Sequence, residues 1–271
     1  DHVNNTPRQV NIFKALNAPL PIFAHLPMIV GQDGQRLSKR HGAVSVLEYR
    51  DQGFLHQAMR NYLLRLGWSH GDQEIFSTQE MIDLFDLAEV NRAASAFDVD
   101  KLKWLNQHYI KEADSASLTD LLLKKLTFAG LDVSAGPPVE RVVTALRERA
   151  QTIDEFVEKS RYFYSELSGY EEGAAKKHLR PVAEGLLLDI RARFESIQTW
   201  TAAAIHEALE ACVAVQDSKL GKIAQPLRVA VSGTAATPPI DETLELVGKV
   251  RTLSRIDAAL VFIEKRKEQG A

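Results

Sequence analysis

The sequence predicts a mainly α-helical protein, and the spacing of its apolar residues is the first observation behind this class. Apolar side chains recur at helical intervals along much of the chain. The clearest run consists of Val139, Val142, Val143, Leu146 and Ala150. The pairs Ser77–Glu80 and Thr152–Glu155 have the spacing of capping boxes, in which a hydroxyl and a carboxylate satisfy free amides at a helix start. Both patterns are typical of helices.

Proline and glycine divide this helical pattern, and strands are expected only near the N-terminus. Gly136-Pro137-Pro138 and Thr237-Pro238-Pro239 should each separate two helices. The stretch Pro21–Val30 is the best candidate for strands because it is apolar and precedes a glycine-containing turn.

Composition limits the classes of protein that the chain can belong to. It has 271 residues, of which 45% are hydrophobic and 25% charged, as expected for globular domains. It contains no apolar run of about eighteen residues, so a membrane span is excluded. The single Cys212 cannot form an internal disulfide and fits a reducing cytoplasm, and its alanine-rich surroundings predict a buried core residue.

Positive charge is concentrated in separate segments, although the formal net charge is −3. Segment 36–65 contains Arg36, Lys39, Arg40, Arg50, Arg60 and Arg65 against Glu48 and Asp51. The second and third patches are Lys219, Lys222 and Arg228, and Lys176, Lys177, His178 and Arg180. Separate patches suit a long anionic ligand, whereas each patch taken alone could equally be a solvated face.

The sequence Arg36-Leu37-Ser38-Lys39-Arg40 is a basic loop that follows the turn Gly31-Gln32-Asp33-Gly34. Arginine offers a planar fork of donors and lysine a compact point charge, and both suit polyphosphate oxygens. In isolation such a short motif more often marks a solvated turn.

Several motifs taken together resemble bacterial glutamyl-tRNA synthetase, in one order from the first residue to about Lys265. They are Asp1-His2-Val3-Asn4-Asn5-Thr6-Pro7-Arg8-Gln9, the RLSKRHGA loop, Leu66-Gly67-Trp68-Ser69, Ala96-Phe97-Asp98, Lys103-Trp104-Leu105-Asn106 and Gln225-Pro226-Leu227-Arg228. The resemblance implies a remnant of a Rossmann-type α/β catalytic domain over residues 1–42. A helical stem-contact domain would follow over 43–110. An all-helical anticodon-binding domain would cover 111–271, with a subdivision near 181.

By this resemblance the basic loop is the second signature of class I aminoacyl-tRNA synthetases, usually written KMSKS. The resemblance implies that Arg36, Ser38, Lys39 and Arg40 bind ATP and pyrophosphate. Lys39 is the catalytic candidate, because a cation beside the leaving pyrophosphate stabilises the charge that develops there. Arg36 stands where the family usually has lysine.

The first class I signature, His-x-Gly-His, does not occur in the sequence. We therefore expect this chain to be the C-terminal portion of a longer enzyme. That enzyme would use ATP with Mg²⁺, which usually rides on substrate phosphates. Neither a cysteine cluster nor histidines at metal-ligand spacing occur, so we expect no metal bound to this portion.

The resemblance also implies a site that reads the tRNA anticodon. In the family, an arginine in the segment matching 146–153 tests the third anticodon base, accepting cytosine or uracil and disfavouring guanine. Matching the segment selects Arg149, but the helical pattern alone leaves Arg147 as an alternative. The anticodon-contacting residues implied by resemblance are Arg228, Thr237, Pro238 and Ile240.

The predicted function is therefore ATP-dependent attachment of L-glutamate to tRNA(Glu) through glutamyl-adenylate, by a cytoplasmic monomer that contacts no membrane. The alternative is a non-catalytic tRNA-binding module that is inactive without an upstream half. A glutaminyl enzyme is disfavoured, because that family has β-barrel anticodon domains whereas residues 111–271 indicate helices. Arg149 predicts discrimination against tRNA(Gln), although relaxed recognition stays open.

Overall fold

The structure is a computed structural model that describes residues 2–38, 45–215 and 219–268. Over these residues the chain is mainly α-helical with one small sheet, which confirms the predicted fold class. Two compact units are present, Asp1–Glu112 and Ala113–Ala271. The finer division at residue 42 stays a prediction.

The first unit combines helices with a two-stranded parallel sheet. Its helices are α1 (Thr6–Ala15), α2 (Val46–Asp51), α3 (His56–Arg65), α4 (Thr78–Leu84) and α5 (Val99–Glu112). Strand β1 (Ile29–Val30) pairs with β2 (Ser95–Ala96), with Ile29 opposite Ser95. The strand predicted within Pro21–Val30 is thus only its last two residues. Strand β2 was not predicted because Ser95-Ala96 has neither alternation nor β-branched or aromatic residues.

The core of the first unit lies between α3 and α5 and contains buried asparagines as well as apolar residues. Ala58 and Leu102 are fully buried there. The Asn106 Oδ1 accepts a hydrogen bond of 2.8 Å from the Leu55 N–H, and the Asn61 Oδ1 accepts one of 2.7 Å from the Phe76 N–H. These amides satisfy backbone groups that burial would otherwise leave unpaired.

The second unit is entirely helical in the residues that the structure describes. Its helices are α6 (Ser115–Phe128), α7 (Val139–Leu146), α8 (Ile153–Tyr164), α9 (Glu172–His178), α10 (Glu184–Ser196), α11 (Ala202–Val215), α12 (Leu220–Ser232), α13 (Ile240–Val247) and α14 (Lys249–Glu268). Helices α6, α7 and α8 pack together, and α10 to α14 form a second group. Cys212 is fully buried, as predicted.

Most of the predicted helix starts and breaks are found. Ser77 and Glu80 form the full capping box of α4, whereas at α8 the Thr152 hydroxyl accepts from Glu155 N and the Glu155 carboxylate bonds Gln151 N instead. Gly136 separates α6 from α7 and is sterically required, because a Cβ there would lie 2.4 Å from the Tyr164 ring.

Helix α12 contains the motif Gln225-Pro226-Leu227-Arg228. Pro226 lies inside this helix, where its ring nitrogen cannot donate to the Lys222 carbonyl. The helix ends at Gly233, whose φ of 80° is the left-handed region that favours glycine. The peptide after Gly233 then runs to α13 through Thr237 and Pro238. No helix of the described residues is long and apolar enough to cross a membrane.

Candidate functional site

The basic loop begins on a tight hairpin in the first unit. Val30 and Arg36 form an antiparallel bridge, and Leu37 N donates to Ile29 O at 3.1 Å. The turn closes with Gly31 N donating to Gln35 O at 2.7 Å, while Gly34 has a φ of 72°. The sequence from Arg36 onward therefore starts from a backbone held by strand β1.

The Ala96-Phe97-Asp98 motif anchors this hairpin. Phe97 N donates to Val30 O at 2.8 Å, and the Gln32 side-chain amide donates to Phe97 O at 3.1 Å. The Phe97 ring packs against Tyr62 with centroids 4.9 Å apart. The Tyr62 hydroxyl in turn accepts a 2.6 Å hydrogen bond from Asp98 N. This motif thus has a positioning role that sequence comparison alone did not specify.

The predicted phosphate-binding residues are only partly within the described chain. Arg36 is exposed and borders an open cavity of about 440 Å³ whose other walls include His25, Met28 and Leu37. Ser38 is half-buried, while Lys39 and Arg40 lie outside the described residues. Among residues 2–38, 45–215 and 219–268, no group of three or more acidic, histidine or cysteine side chains could hold a metal ion.

The basic patch 36–65 is less cationic than its residue count indicates. Arg65 donates to Glu74 at 2.9 Å, and Arg50 pairs with the adjacent Asp51 at 2.9 Å. Arg60 donates to the Thr78 hydroxyl at 3.2 Å. Hydrogen bonds from Arg65 are also the largest reason why the pKa of Glu74 is lowered. Local partners therefore occupy several of these cations.

The second unit gives Arg147 and Arg149 different surroundings, which bears on the choice that the sequence left open. Arg147 donates to the Ser115 hydroxyl at 3.2 Å and to Ala113 O at 2.7 Å, so it ties α7 to the start of α6. Arg149 has an exposed side chain, and its backbone is fixed by a 2.8 Å hydrogen bond to Leu146 O. Arg147 is thus committed to structure, and the geometry favours Arg149 for ligand contact.

Arg228 lies half-buried on α12 and is held from one side. Its Nε donates to the Thr237 Oγ1 at 2.8 Å, and the Thr237 hydroxyl donates to Pro238 O at 2.9 Å. Burial is the main cause that lowers the pKa of Arg228, and the positive charge of Arg149 comes second. Because arginine stays protonated in proteins, the two guanidinium groups form a doubly positive site.

The terminal nitrogens of Arg228 find no acceptor within the part of the chain that the structure describes. They can therefore donate to a ligand. By contrast, Thr237, Pro238 and Ile240 are buried. The sequence analysis predicted that these four residues and Arg149 contact the anticodon. In the structure Arg149 lies close to Arg228, and Thr237 contacts Arg228 through a hydrogen bond.

Two further groups near this site were not selected from the sequence. The Tyr162 hydroxyl is buried and has no hydrogen-bond partner among the described residues. Burial raises the pKa of Tyr162, while Thr243 and the charges of Arg228 and Arg149 oppose the increase. Thr243 is fully buried and bonds the Thr237-Pro238 segment. Nothing in the helical pattern distinguishes these residues from ordinary core positions.

The third basic patch lies at the end of α9, a helix that packs against α12. Burial lowers the pKa of His178, followed by the positive charges of Lys177, Arg180 and Arg228. His178 therefore lies within the positive field of Arg228. Clustered guanidinium groups with free donors suit acceptor-rich base edges and phosphates, which are the groups that an RNA loop presents.

A helical unit with such a surface belongs to the class of nucleic-acid-binding modules, and comparison with known proteins makes the class specific. Residues 102–260 match the family described as "Anticodon binding domain", and residues 1–104 match "tRNA synthetases class I (E and Q), catalytic domain". The chain belongs to the anticodon binding domain family.

Its relatives include glutamate–tRNA ligases. It is 52% identical to glutamate–tRNA ligase 1 of Alkalilimnicola ehrlichii and 54% identical to that of Nitrosococcus oceani, in each case over 98% of this chain. These alignments cover 56% and 57% of the relatives, so the chain spans little more than half of their length.

Solved structures give the same result. A glutamate tRNA ligase from Elizabethkingia meningosepticum, crystallised with its amino acid, superposes with a TM-score of 0.78 at 26% identity. This match covers 97% of the chain and 56% of the neighbour. The glutamate-tRNA synthetase of Elizabethkingia anophelis has a TM-score of 0.75 at 27% identity, covering 96% and 55%.

Proposed function

We propose that this chain supplies the anticodon-reading site and the second class I signature of a glutamate–tRNA ligase. The observation that carries the proposal is Arg228, whose Nε is fixed by Thr237 while its terminal nitrogens remain available beside Arg149. Two guanidinium groups presented in this way inside an anticodon binding domain suit an RNA loop. The similarity to glutamate–tRNA ligases supports tRNA(Glu) as the ligand.

In the proposed reading step, Arg149 tests the third anticodon base. Arginine donates well to acceptors on base edges and also stacks on bases, whereas buried Thr237, Pro238 and Ile240 hold the neighbouring backbone. Acceptance of cytosine or uracil and rejection of guanine would separate tRNA(Glu) from tRNA(Gln). Lys159 supports this role, because it donates to the Arg149 carbonyl and is itself paired with Glu155 at 3.0 Å.

In the proposed chemical step, a carboxylate oxygen of L-glutamate attacks the α-phosphate of ATP, and pyrophosphate leaves. The terminal adenosine of the tRNA then attacks the activated carboxyl and releases AMP. Lys39, assisted by Arg36, Ser38 and Arg40, would stabilise the charge that builds on the leaving pyrophosphate. Mg²⁺ would arrive with ATP and shield its phosphates.

The proposed setting is the cytoplasm, where tRNA is charged for protein synthesis, and the proposed assembly state is a monomer. Sedimentation at several protein concentrations tests the second statement. A concentration-independent mass near 30.2 kDa for this chain is expected, and a mass that doubles on concentration would contradict it.

Binding of the 271-residue chain to tRNA(Glu) tests the proposal. The expected result is salt-sensitive binding that weakens when the third anticodon base becomes guanine. Binding that ignores the anticodon would contradict the reading role of Arg149 and Arg228. The matched control is a tRNA with the same anticodon and an altered acceptor end, because it leaves the loop contacts unchanged.

One observation favours a second function, a tRNA-binding module that acts without catalysis. Ala113–Ala271 forms a compact unit with its own buried core, and it holds Arg149 and Arg228. Exchange of pyrophosphate into ATP, dependent on glutamate, separates the two functions. The exchange is measured on a longer protein that contains this chain. Anticodon-dependent binding without any exchange by that protein supports the module, whereas exchange supports the ligase.

A further inference from the structure

We propose that Thr243 is a positioning residue for the RNA-reading site, acting through the Thr237-Pro238 segment on the direction of Arg228. This inference rests on the proposed function, because it concerns the same RNA-reading site. Thr243 lies on α13, is fully buried, and therefore contacts no ligand itself. Its influence has to pass through the protein.

Four hydrogen-bond contacts carry that influence. The Thr243 hydroxyl lies 3.2 Å from Pro238 O and 3.3 Å from the Thr237 Oγ1. Thr237 in turn donates to Pro238 O and accepts the Nε–H of Arg228. A single path of side-chain and backbone groups thus joins the buried face of α13 to the guanidinium on α12.

The arrangement fixes more than the position of a charge. The Thr237 hydroxyl must keep its oxygen toward Arg228 while its proton points to Pro238 O. With its Nε–H committed to Thr237, the planar guanidinium is fixed in orientation, so its terminal nitrogens present their donors to a ligand in a set direction. Site precision of this kind depends on supporting side chains that are themselves locked by hydrogen bonds. Thr243 is the innermost of these supports.

Tyr162 lies on α8, which packs against α13. Its hydroxyl is buried without a partner among the described residues, and Thr243 opposes the burial-driven increase in the Tyr162 pKa. The hydroxyls of Tyr162 and Thr243 are therefore neighbours. A valine at position 243 would remove the polar neighbour and leave the volume nearly unchanged, so the substitution isolates the hydroxyl.

The experiment compares Thr243→Val with Thr243→Ser in the full 271-residue chain. Affinity is measured for two anticodon stem-loop RNAs that differ only in cytosine or guanine at the third anticodon base. The matched control is Thr252→Val, because the Thr252 hydroxyl on α14 is also buried but has no partner among the described residues. Thermal unfolding and the NMR signal of the Arg228 Nε–H are recorded for every variant.

We expect Thr243→Val to weaken binding of the cytosine RNA by about 3- to 10-fold, the range for one neutral hydrogen bond, and to reduce the preference over guanine. The Arg228 Nε–H signal should shift or exchange faster. Thr243→Ser should restore both properties, and Thr252→Val should change neither.

The inference is overturned if Thr243→Val keeps the wild-type preference and the wild-type Nε–H signal. It is equally overturned if Thr252→Val reproduces the loss, since that would indicate a general effect of core perturbation. A wild-type chain that binds both RNAs equally would instead contradict the proposed function. In that case the Nε–H signal still decides whether Thr243 positions Arg228.

Discussion

The hairpin of the first unit and the site formed by Arg149 and Arg228 in the second unit, here called the arginine site, present cations in different ways. In the hairpin, backbone hydrogen bonds and the Phe97 anchor fix the strand, and Arg36 projects from it as an exposed side chain. In the arginine site, Arg228 is half-buried and its Nε is held at 2.8 Å by a threonine that other buried groups hold in turn. One region fixes a backbone, and the other fixes a guanidinium plane.

This difference matches the two tasks proposed for the chain. A cation that stabilises departing pyrophosphate acts mainly through charge, and its position has to suit a reaction in progress. A residue that distinguishes bases acts through the direction of its donors, so the geometry has to exist before RNA binds. We therefore expect charge to matter most in the loop after Arg36, and shape to matter most at Arg228.

The largest expected effect comes from removing the proposed catalytic cation. In an active ligase that contains this chain, Lys39→Ala should lower the rate of glutamyl-adenylate formation by about 10²–10³-fold, as for loss of one transition-state charge contact. Lys39→Arg keeps the charge and should retain much more activity. The measurement is glutamate-dependent pyrophosphate exchange, with tRNA affinity as the control. Equal rate losses for Lys39→Ala and Lys39→Arg would contradict the expectation that the loop acts mainly through charge.

In the second unit, replacement of arginine by lysine should weaken RNA binding. Arg228→Lys preserves the charge, but lysine has no Nε–H for Thr237 and no planar fork. We expect about 10-fold weaker binding of the anticodon stem-loop, close to the effect of losing one charged hydrogen bond. Filter binding at two salt concentrations checks this. If Arg228→Lys binds as well as wild type, the claim that shape dominates at this site is wrong.

A smaller and more selective effect is expected at Arg149. Arg149→Gln should reduce the preference for cytosine over guanine at the third anticodon base by about 5-fold, within the range for one base contact. Arg147→Gln is the control, because Arg147 contacts Ser115 and Ala113. The control should lower the melting temperature and leave the preference intact. If Arg147→Gln reduced the base preference and Arg149→Gln left it intact, the proposed reading role would pass to Arg147.

The smallest effect concerns the ion pair that occupies Arg65 in the first unit. Arg65 is the main cause that lowers the pKa of Glu74, so the pair stabilises the fold above the ordinary glutamate pKa. That contribution is lost as the pH falls from about 4.3 through the lower folded-state pKa. Because the pair is partly exposed, Glu74→Gln should cost at most about 1 kcal/mol at neutral pH.

Urea unfolding at pH 7 and at acidic pH measures this difference. The difference in unfolding free energy between wild type and Glu74→Gln should close on acidification. The corresponding difference for Arg228→Lys should not depend on pH in this way, because no carboxylate partner of Arg228 occurs in the described residues. A gap that persists at low pH would mean that Glu74 stabilises by packing.

The two regions also differ in how far the sequence could predict them. Helical periodicity and caps predicted α7, α8 and the start of α4, because these signals are local. The short β1–β2 pairing joins residues far apart in sequence and has no local signal. Charge counting overestimated the 36–65 patch, because the partner Glu74 lies outside that segment.

At the arginine site, the sequence could select residues but not their tasks. The resemblance pointed to Arg149 and Arg228, yet helical spacing could not separate Arg149 from Arg147. That separation required the contacts of Arg147 with Ser115, at the start of α6, and with Ala113, just before it. Thr243 was missed for a similar reason. In sequence it is one more residue on the buried face of α13, and only its distance to Pro238 O suggests the role that we propose for it.

The most direct test of the central claim is the affinity of the wild-type 271-residue chain for two anticodon stem-loops that differ only at the third base. A site built from fixed guanidinium groups predicts tighter binding of the cytosine loop than of the guanine loop, and the ratio should persist at high salt while both affinities fall. Equal affinities at both salt concentrations would contradict the claim, since they would leave only attraction to phosphate charge.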